Sequence, residues 1–196
     1  LTVIAPVGAH CSLTMAFDAM LPALSDEIGG SEGLYSTILI ALGGGALVGT
    51  LGVSQLRKES TRAISFVVSG IGSGLSIVLL GVASGPNAVL PAAVLAGISQ
   101  ASYMALSATL VQSVVADRFR ARVMSVYIMI AAGHMAILNL GFGQFAEAVE
   151  VRALLAVPGL IWVALFVTLV LVLPEARSVA IRGRFTHDDQ VTGVPV

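Results

Sequence analysis

The sequence has 196 residues, of which 57% are hydrophobic and 11% are charged, and its mean hydropathy is +0.96. A soluble domain carries roughly 25% charged residues because its surface faces water, so this composition excludes a soluble globular protein and predicts a surface that faces lipid. Ten basic and eleven acidic residues give a net charge of −1, which provides no support for a nucleic-acid partner.

Six segments are long and apolar enough to cross a membrane. A hydrocarbon core of about 30 Å requires roughly 20 apolar residues in a helix. The predicted spans cover residues 1–24, 33–56, 63–83, 89–115, 123–146 and 153–173. The predicted fold is therefore an all-α bundle of six transmembrane helices in residues 1–173. The remaining residues, 174–196, are polar and predict a disordered cytoplasmic tail.

The basic residues predict the orientation of the bundle in a cell membrane. Nine of the ten Lys and Arg residues follow the second, fourth or sixth span, and only Arg152 lies on the other side. Basic residues are enriched in cytoplasmic loops, so we expect the even-numbered spans and the C-terminus to end in the cytoplasm. Because the chain begins inside the first span without an initiator methionine, we expect it to be a fragment.

Glycines lie inside the spans as well as in the loops. Gly45 and Gly49 are four residues apart in the second span, and Gly70 and Gly74 are four apart in the third. Small residues at this spacing let two helix backbones approach closely in lipid. The pattern predicts either static helix packing or a smooth surface along which helices slide during transport.

Polar residues form one stripe on the first span and another on the fourth. Within each stripe the residues are spaced so that they share one face of an α-helix. The first stripe consists of His10, Thr14 and Asp18, and the second of Gln100, Tyr103 and Ser107. Polar groups inside a membrane are costly and usually face a cavity or a partner. The two stripes predict a shared aqueous pathway for substrate or protons; interhelical hydrogen bonding is the alternative.

Other polar residues indicate no further site. His134 and Asn139 are five residues apart and do not share a helical face, and Trp162 is interpreted as a packing residue. The tail sequence His-Asp-Asp at 187–189 is compatible with weak metal binding, but solvated disorder is the favoured interpretation. We therefore predict neither a metal site nor a cofactor.

The segment 117–125 resembles a loop of the major facilitator superfamily. In the branch that includes macrolide and siderophore exporters, an acidic residue precedes Arg-Gly-Arg-Val-Met-Ser before the eleventh span. Here Asp117 supplies the acidic residue and Arg120 and Arg122 supply the arginines, whereas Ala121 replaces the glycine.

Two further segments carry the same resemblance. Residues 143–147, Gly-Gln-Phe-Ala-Glu, with Arg152 and Gly159, resemble the connection between the eleventh and twelfth spans of the family. Leu-Pro at 21–22 resembles the end of its seventh span. The family usually has Pro-Leu-Gly where this chain has Asn-Leu-Gly at 139–141.

The resemblance implies that the six spans are spans seven to twelve of such a transporter, built from two inverted three-helix repeats. It implies proton-coupled export of a small amphipathic molecule by alternating access, with the lipid bilayer, the substrate and a missing N-terminal half as partners. Spans seven and ten of the family line its cavity, and these are the spans that carry the polar stripes. The basic loop would act as a cytoplasmic gate through Asp117, Arg118, Arg120 and Arg122; membrane topology alone is the alternative role for its arginines.

Two alternative functions are compatible with six spans, besides transport by one half of a larger protein. A standalone six-span protein would form a homodimer or scaffold a complex. An intramembrane protease would need a serine nucleophile and a histidine, for which Ser73 and His134 are the available residues. The sequence around Ser73 lacks the Gly-x-Ser-Gly pattern of such proteases, and the arginine-rich loop would be unexplained, so we expect no enzymatic activity.

Overall fold

The computed structural model describes residues 4–29, 33–145 and 149–182, and every regular element among them is helical. The α-helices are α1 (Ile4–His10), α2 (Leu21–Glu27), α3 (Leu34–Ser54), α4 (Glu59–Val82), α5 (Pro86–Val114), α6 (Asp117–Phe145), α7 (Val151–Val172) and α8 (Pro174–Arg182). Six helical segments are long and apolar enough to span a membrane. The prediction of an all-α bundle of six transmembrane helices is confirmed.

The sequence predicted one continuous α-helix for the first span, but the structure shows that this helix is interrupted. After α1 the chain forms a π-helical turn, Cys11–Met15, and then a 3-10 turn, Asp18–Met20, before α2 begins. No proline or glycine lies between Cys11 and Met20. The break is therefore not caused by a helix-breaking residue. Ser73 of α4 and Gln100 of α5 each donate a hydrogen bond to Thr14 within the π-helical turn.

Several helices extend beyond the apolar segments that predicted them. The spans predicted to begin at residues 63 and 123 begin as helices at Glu59 and Asp117. Hydropathy marks where a helix enters lipid, but a helix can continue into the polar region. The structure describes a helix, α8, at the start of the segment predicted as a disordered tail, and Val179 of this helix is buried. Residues 183–196 lie outside the described part of the chain.

Close backbone contacts hold the longest helices together. α5 packs against α3 and α4, and α4 also packs against α7. A Cβ atom at Gly45 would overlap the carbonyl oxygen of Val94, and one at Gly74 would lie 2.7 Å from the carbonyl oxygen of Gly159. In lipid such close approach replaces the hydrophobic driving force between helices, so these glycines fix the distances between the helices.

Arg152 joins three helix ends at one end of the bundle. Its Nε forms an ion pair with Oε1 of Glu27, at the end of α2, and its Nη1 donates a hydrogen bond of 2.8 Å to the carbonyl of Ala83, just after α4. Arg152 itself lies in the first turn of α7. The basic residue that departs from the charge pattern therefore connects the ends of α2, α4 and α7.

Replacing Arg152 by alanine should lower the free energy of unfolding by about 1–2 kcal/mol, because a charge-assisted contact and a hydrogen bond to a helix end are both lost. The side chain is 32% exposed, which keeps the effect moderate. Thermal unfolding in detergent, followed by the fluorescence of Trp162, measures the loss. Arg57→Ala, at an exposed loop position, is the control; equal melting temperatures for the two variants would contradict the assignment.

Candidate functional site

A chain of hydrogen bonds links the broken first span to α4. Nε2 of His10 lies 2.7 Å from Oγ of Ser73. The Ser73 hydroxyl donates to Oγ1 of Thr14 at 3.2 Å, and the Thr14 hydroxyl donates to the backbone carbonyl of His10 at 2.9 Å. All three side chains are fully buried. This network is the most deeply buried polar group among the described residues.

The donors in this network define the protonated nitrogen of the His10 ring. A hydroxyl has one proton to donate, and that of Ser73 points to Thr14. Nε2 of His10 must therefore donate to Ser73, which leaves Nδ1 as the acceptor nitrogen of a neutral ring. Nδ1 is buried and has no hydrogen-bond partner among the described residues. Buried polar atoms without a partner are rare in proteins, so this basic nitrogen is a candidate functional group.

Gln100 connects α5 to the same network. Its side-chain Nε2 donates a 2.7 Å hydrogen bond to the backbone carbonyl of Thr14, within the π-helical turn. Carbonyl groups near the end of a helix lack a regular partner in the helix, and a buried carbonyl without a partner is costly. Gln100 therefore stabilises the irregular backbone at the break of the first span.

Aromatic rings enclose the His10 side chain. The Tyr103 ring centroid is 4.3 Å from that of His10, and the Trp162 ring contacts His10 edge-on at 4.9 Å. Trp162 is fixed in place because its Nε1 donates to the carbonyl of Gly70 at 2.8 Å. Phe66 stacks on the far side of Tyr103 at 5.1 Å. These three rings form an aromatic shell around the His10 side chain, which is fully buried.

The two polar stripes predicted from the sequence come together in the structure. His10 and Thr14 from the first span contact Gln100 and Tyr103 from α5. The rings of His10 and Tyr103 contact each other directly, whereas the side chain of Gln100 bonds the backbone carbonyl of Thr14. All four residues are buried. A role of these residues in a substrate or proton pathway stays a prediction.

Two other members of the stripes lie outside the network. Asp18 is half-buried in the 3-10 turn. Its predicted place on one face with His10 required an unbroken α-helix, and that assumption is wrong because the helix changes its geometry at Cys11. Ser107 is buried on α5, one turn beyond Tyr103.

Ser73 is the main site residue that the sequence reasoning missed. The sequence suggests for it only the role of a protease nucleophile, with His134 as the partner. His134 is exposed and its Nδ1 lies 2.8 Å from the carbonyl of Ile130 in its own helix, so that pair is not formed. The spacing of Ser69, Ser73 and Ser76 is that of one helical face. This serine stripe on α4 was the sequence signal that a third helix contributes polar residues to the site.

The proposed gate residues lie in the first turns of α6 instead of in a loop. Arg120 forms an ion pair of 2.6 Å with Asp117, and both side chains are exposed. The guanidinium of Arg118 lies 4.7 Å from the ring centroid of Phe119. Arg122 is exposed. An exposed pair at this spacing contributes about 0–1 kcal/mol, so its partners can exchange at little cost.

The described residues contain no group of three or more His, Cys, Asp or Glu side chains that could hold a metal ion. The tail segment 187–189, named above as compatible with weak metal binding, lies outside them. The candidate site therefore consists of the His10 network and its aromatic shell.

Sequence comparison identifies the family of the chain. A family model described as a transmembrane secretion effector matches residues 3–193. No curated protein and no solved structure matches the chain significantly. The family match covers nearly the whole sequence and agrees with the six membrane-spanning helices. The chain therefore belongs to the transmembrane secretion effector family, a group of transporters of the major facilitator type.

Proposed function

We propose that the chain is one half of a proton-coupled exporter of small amphipathic molecules that works by alternating access. The observation that carries this proposal is the buried His10, Ser73 and Thr14 network at the break of the first span. Polar side chains this deep in a membrane protein usually mark a substrate or ion pathway. Discontinuous helices in secondary transporters lie where substrates and coupling ions bind, and π-helical turns are frequent at functional sites.

The coupling proton would bind Nδ1 of His10. In the arrangement described here the ring is enclosed by Tyr103 and Trp162, which keeps water from it. Separation of α4 or α5 from the first span would admit water to the ring. Histidine can then change its charge near neutral pH. Protonation of Nδ1 would leave the bond from Nε2 to Ser73 intact. The added charge would instead favour the arrangement in which water reaches the ring, because an enclosed ring cannot hold an unpaired charge at low cost, and this would couple proton entry to a change in helix packing.

The exposure of α6 supports the proposal that a second six-span half completes the pathway. Only 11% of the most apolar stretch of α6 is buried within this bundle, yet the helix carries the exposed side chain of His134. A histidine that faces lipid in mid-span is costly, whereas a neighbouring protein surface or an aqueous cavity stabilises it. The covered side of α6 contacts the first span, so a second half would meet the bundle beside the His10 network.

The first turns of α6 would form the cytoplasmic gate. Asp117 lies in the first turn of the helix, where the helix dipole favours a negative charge. The exposed pair with Arg120 could therefore be exchanged for a pair with the second half in another conformation. Such an exchange would hold the cytoplasmic side closed in one state and release it in the other.

Purified protein reconstituted in vesicles tests whether this chain needs a second half. We expect the 196-residue chain alone to move neither protons nor amphipathic dyes faster than empty vesicles, because the His10 pathway would lack its opposing wall. A pH-sensitive dye trapped inside the vesicles reports proton movement. Robust flux from the chain alone would favour a homodimer over one half of a larger transporter.

A reporter fusion tests the proposed orientation. Because nine of ten basic residues lie on one side of the predicted spans, a reporter that is active only outside the cytoplasm should stay silent when fused after Val196. The same reporter inserted near Ser84, in the connection between α4 and α5, should be active. The opposite pair of signals would reverse the orientation.

A further inference from the structure

A small cavity lies at one end of the bundle, between α4, α5 and α8. Its volume is about 140 Å³, and its buried walls are Ala63, Leu106 and Val179. The half-buried ring of Phe66 lines it as well, while Arg62 and Thr109 are exposed at its rim. The cavity therefore has an apolar interior and a polar mouth.

The cavity lies where a membrane helix meets the polar headgroup region. Arg62 is in the first turn of α4, which follows a polar loop, and Thr109 is near the end of α5. The neighbouring helix α8 buries Val179 and exposes Arg177 and Ile181. Val179 therefore lies on the buried side of this short helix, and Arg177 and Ile181, four residues apart, share its exposed side. A basic side chain beside an apolar one on the exposed side suits the boundary between lipid headgroups and acyl chains.

The charges at the mouth favour an anionic group. Arg57 and Lys58 precede Arg62 in the sequence, and Glu59 also lines the cavity. Three cations against one carboxylate leave a positive balance at this end of α4. Nε of Arg62 donates a 2.9 Å hydrogen bond to the carbonyl of Leu56, which holds the guanidinium at the rim. Arginine binds phosphate through several N–H groups at once.

The volume argues against the exported substrate as the occupant. Sites for drug-sized ligands have volumes of about 300–1,000 Å³, and this cavity is smaller. It can take part of one acyl chain, while the headgroup stays outside at Arg62. We propose that the cavity binds a membrane phospholipid, with the phosphate at Arg62 and one acyl chain against Phe66 and Leu106. The site requires only that the bundle is inserted in a membrane and is independent of the transport direction.

Native mass spectrometry of the purified chain in detergent tests the site. With phosphatidylglycerol added at increasing concentration, the wild-type chain should retain one tightly bound lipid. Arg62→Ala should lower its affinity about tenfold or more, because a charge-assisted contact to the phosphate is lost. Thr109→Trp should lower it similarly by filling the cavity. The glycerol phosphate headgroup without acyl chains should not be retained, which separates a lipid site from a phosphate site.

Two control variants make the test specific. Arg122→Ala removes the same charge from an exposed position of α6 outside the cavity lining, and Leu95→Trp places the same side chain at an exposed position of α5. Both should retain the lipid as the wild type does, and the melting temperature of every variant verifies its fold. Equal retention by wild type and Arg62→Ala, or an equal loss in Arg122→Ala, would overturn the proposal. This result would leave the transport proposal untouched, since no flux is measured.

Discussion

Leucine in place of Gly45 should abolish most of the folded protein, whereas leucine in place of Gly44, the preceding residue, should be tolerated. A side chain at Gly45 would overlap the backbone carbonyl of Val94, and one at Gly97, on the facing helix, would overlap that of Leu42. Backbone atoms cannot move aside as a flexible side chain can. The larger residue therefore forces α3 away from α5, against which it makes most of its contacts.

The size of the expected loss of stability in Gly45→Leu follows from the same geometry. Overpacking a well-packed core usually costs about 1–3 kcal/mol and sometimes more, and here a whole helix interface must open. Gly44 has nothing within 4 Å of its added Cβ. Both substitutions raise helix propensity by a similar amount, so they differ only in what the side chain meets. The folded fraction after size-exclusion chromatography and the melting temperature measure the effect; equal behaviour of the two variants would contradict the packing of α3 on α5.

Alanine in place of His10 should lower the free energy of unfolding by about 2–4 kcal/mol, in the range of large-to-small substitutions in a core. The change removes the contact to Ser73 and leaves a void between Tyr103 and Trp162. Because Trp162 is the only tryptophan of the chain, its emission should also change.

His134→Ala is the matched control for this substitution. His134 is exposed and bonds only within its own helix in the described structure, so its loss should change the stability by less than about 0.5 kcal/mol. Chemical or thermal unfolding in the same detergent gives both values. Similar losses for the two histidines would show that the enclosed position of His10 has no special energetic role.

The composition was sufficient to predict a surface that faces lipid, because a chain with so few charges cannot cover itself in water, and the pattern of apolar segments was sufficient to predict six spans. Neither signal extends to the polar ends of the helices. They could not give the helix ends at Glu59 and Asp117, since hydropathy reports contact with lipid and these helices continue beyond it. The glycine spacing correctly indicated close contacts at Gly45 and Gly74. It could not show that Gly44 faces outward, because the direction of a glycine depends on where the partner helix lies.

The candidate site was predicted only in part, because helical spacing places residues on one face only where the helix is unbroken. Helical spacing placed His10 with Thr14 and Gln100 with Tyr103, and the structure brings the two pairs into contact. Helical spacing wrongly placed Asp18 on one face with His10, because the helix is interrupted between them. No proline or glycine in this part of the first span indicates the break. Tertiary hydrogen bonds, such as that from Gln100 to the Thr14 carbonyl, reach it from other helices. Asp18 therefore stays a separate candidate for the proton pathway, testable through Asp18→Asn.

Transport by Ser73→Ala tests the central claim most directly. The substitution removes one hydroxyl from the His10 network and leaves the packing volume nearly unchanged. Ser76→Ala is the control, because the buried hydroxyl of Ser76 donates only to the carbonyl of Ser73 in its own helix. Dye and proton flux are measured in vesicles that contain the transport-competent form, driven by an imposed pH gradient, with the dye that the wild type moves fastest. If the network couples protons to export, Ser73→Ala should lower flux per folded molecule about tenfold or more, as the loss of a buried hydrogen bond predicts, while Ser76→Ala transports normally. Wild-type flux from Ser73→Ala would contradict the account and leave the network as packing alone.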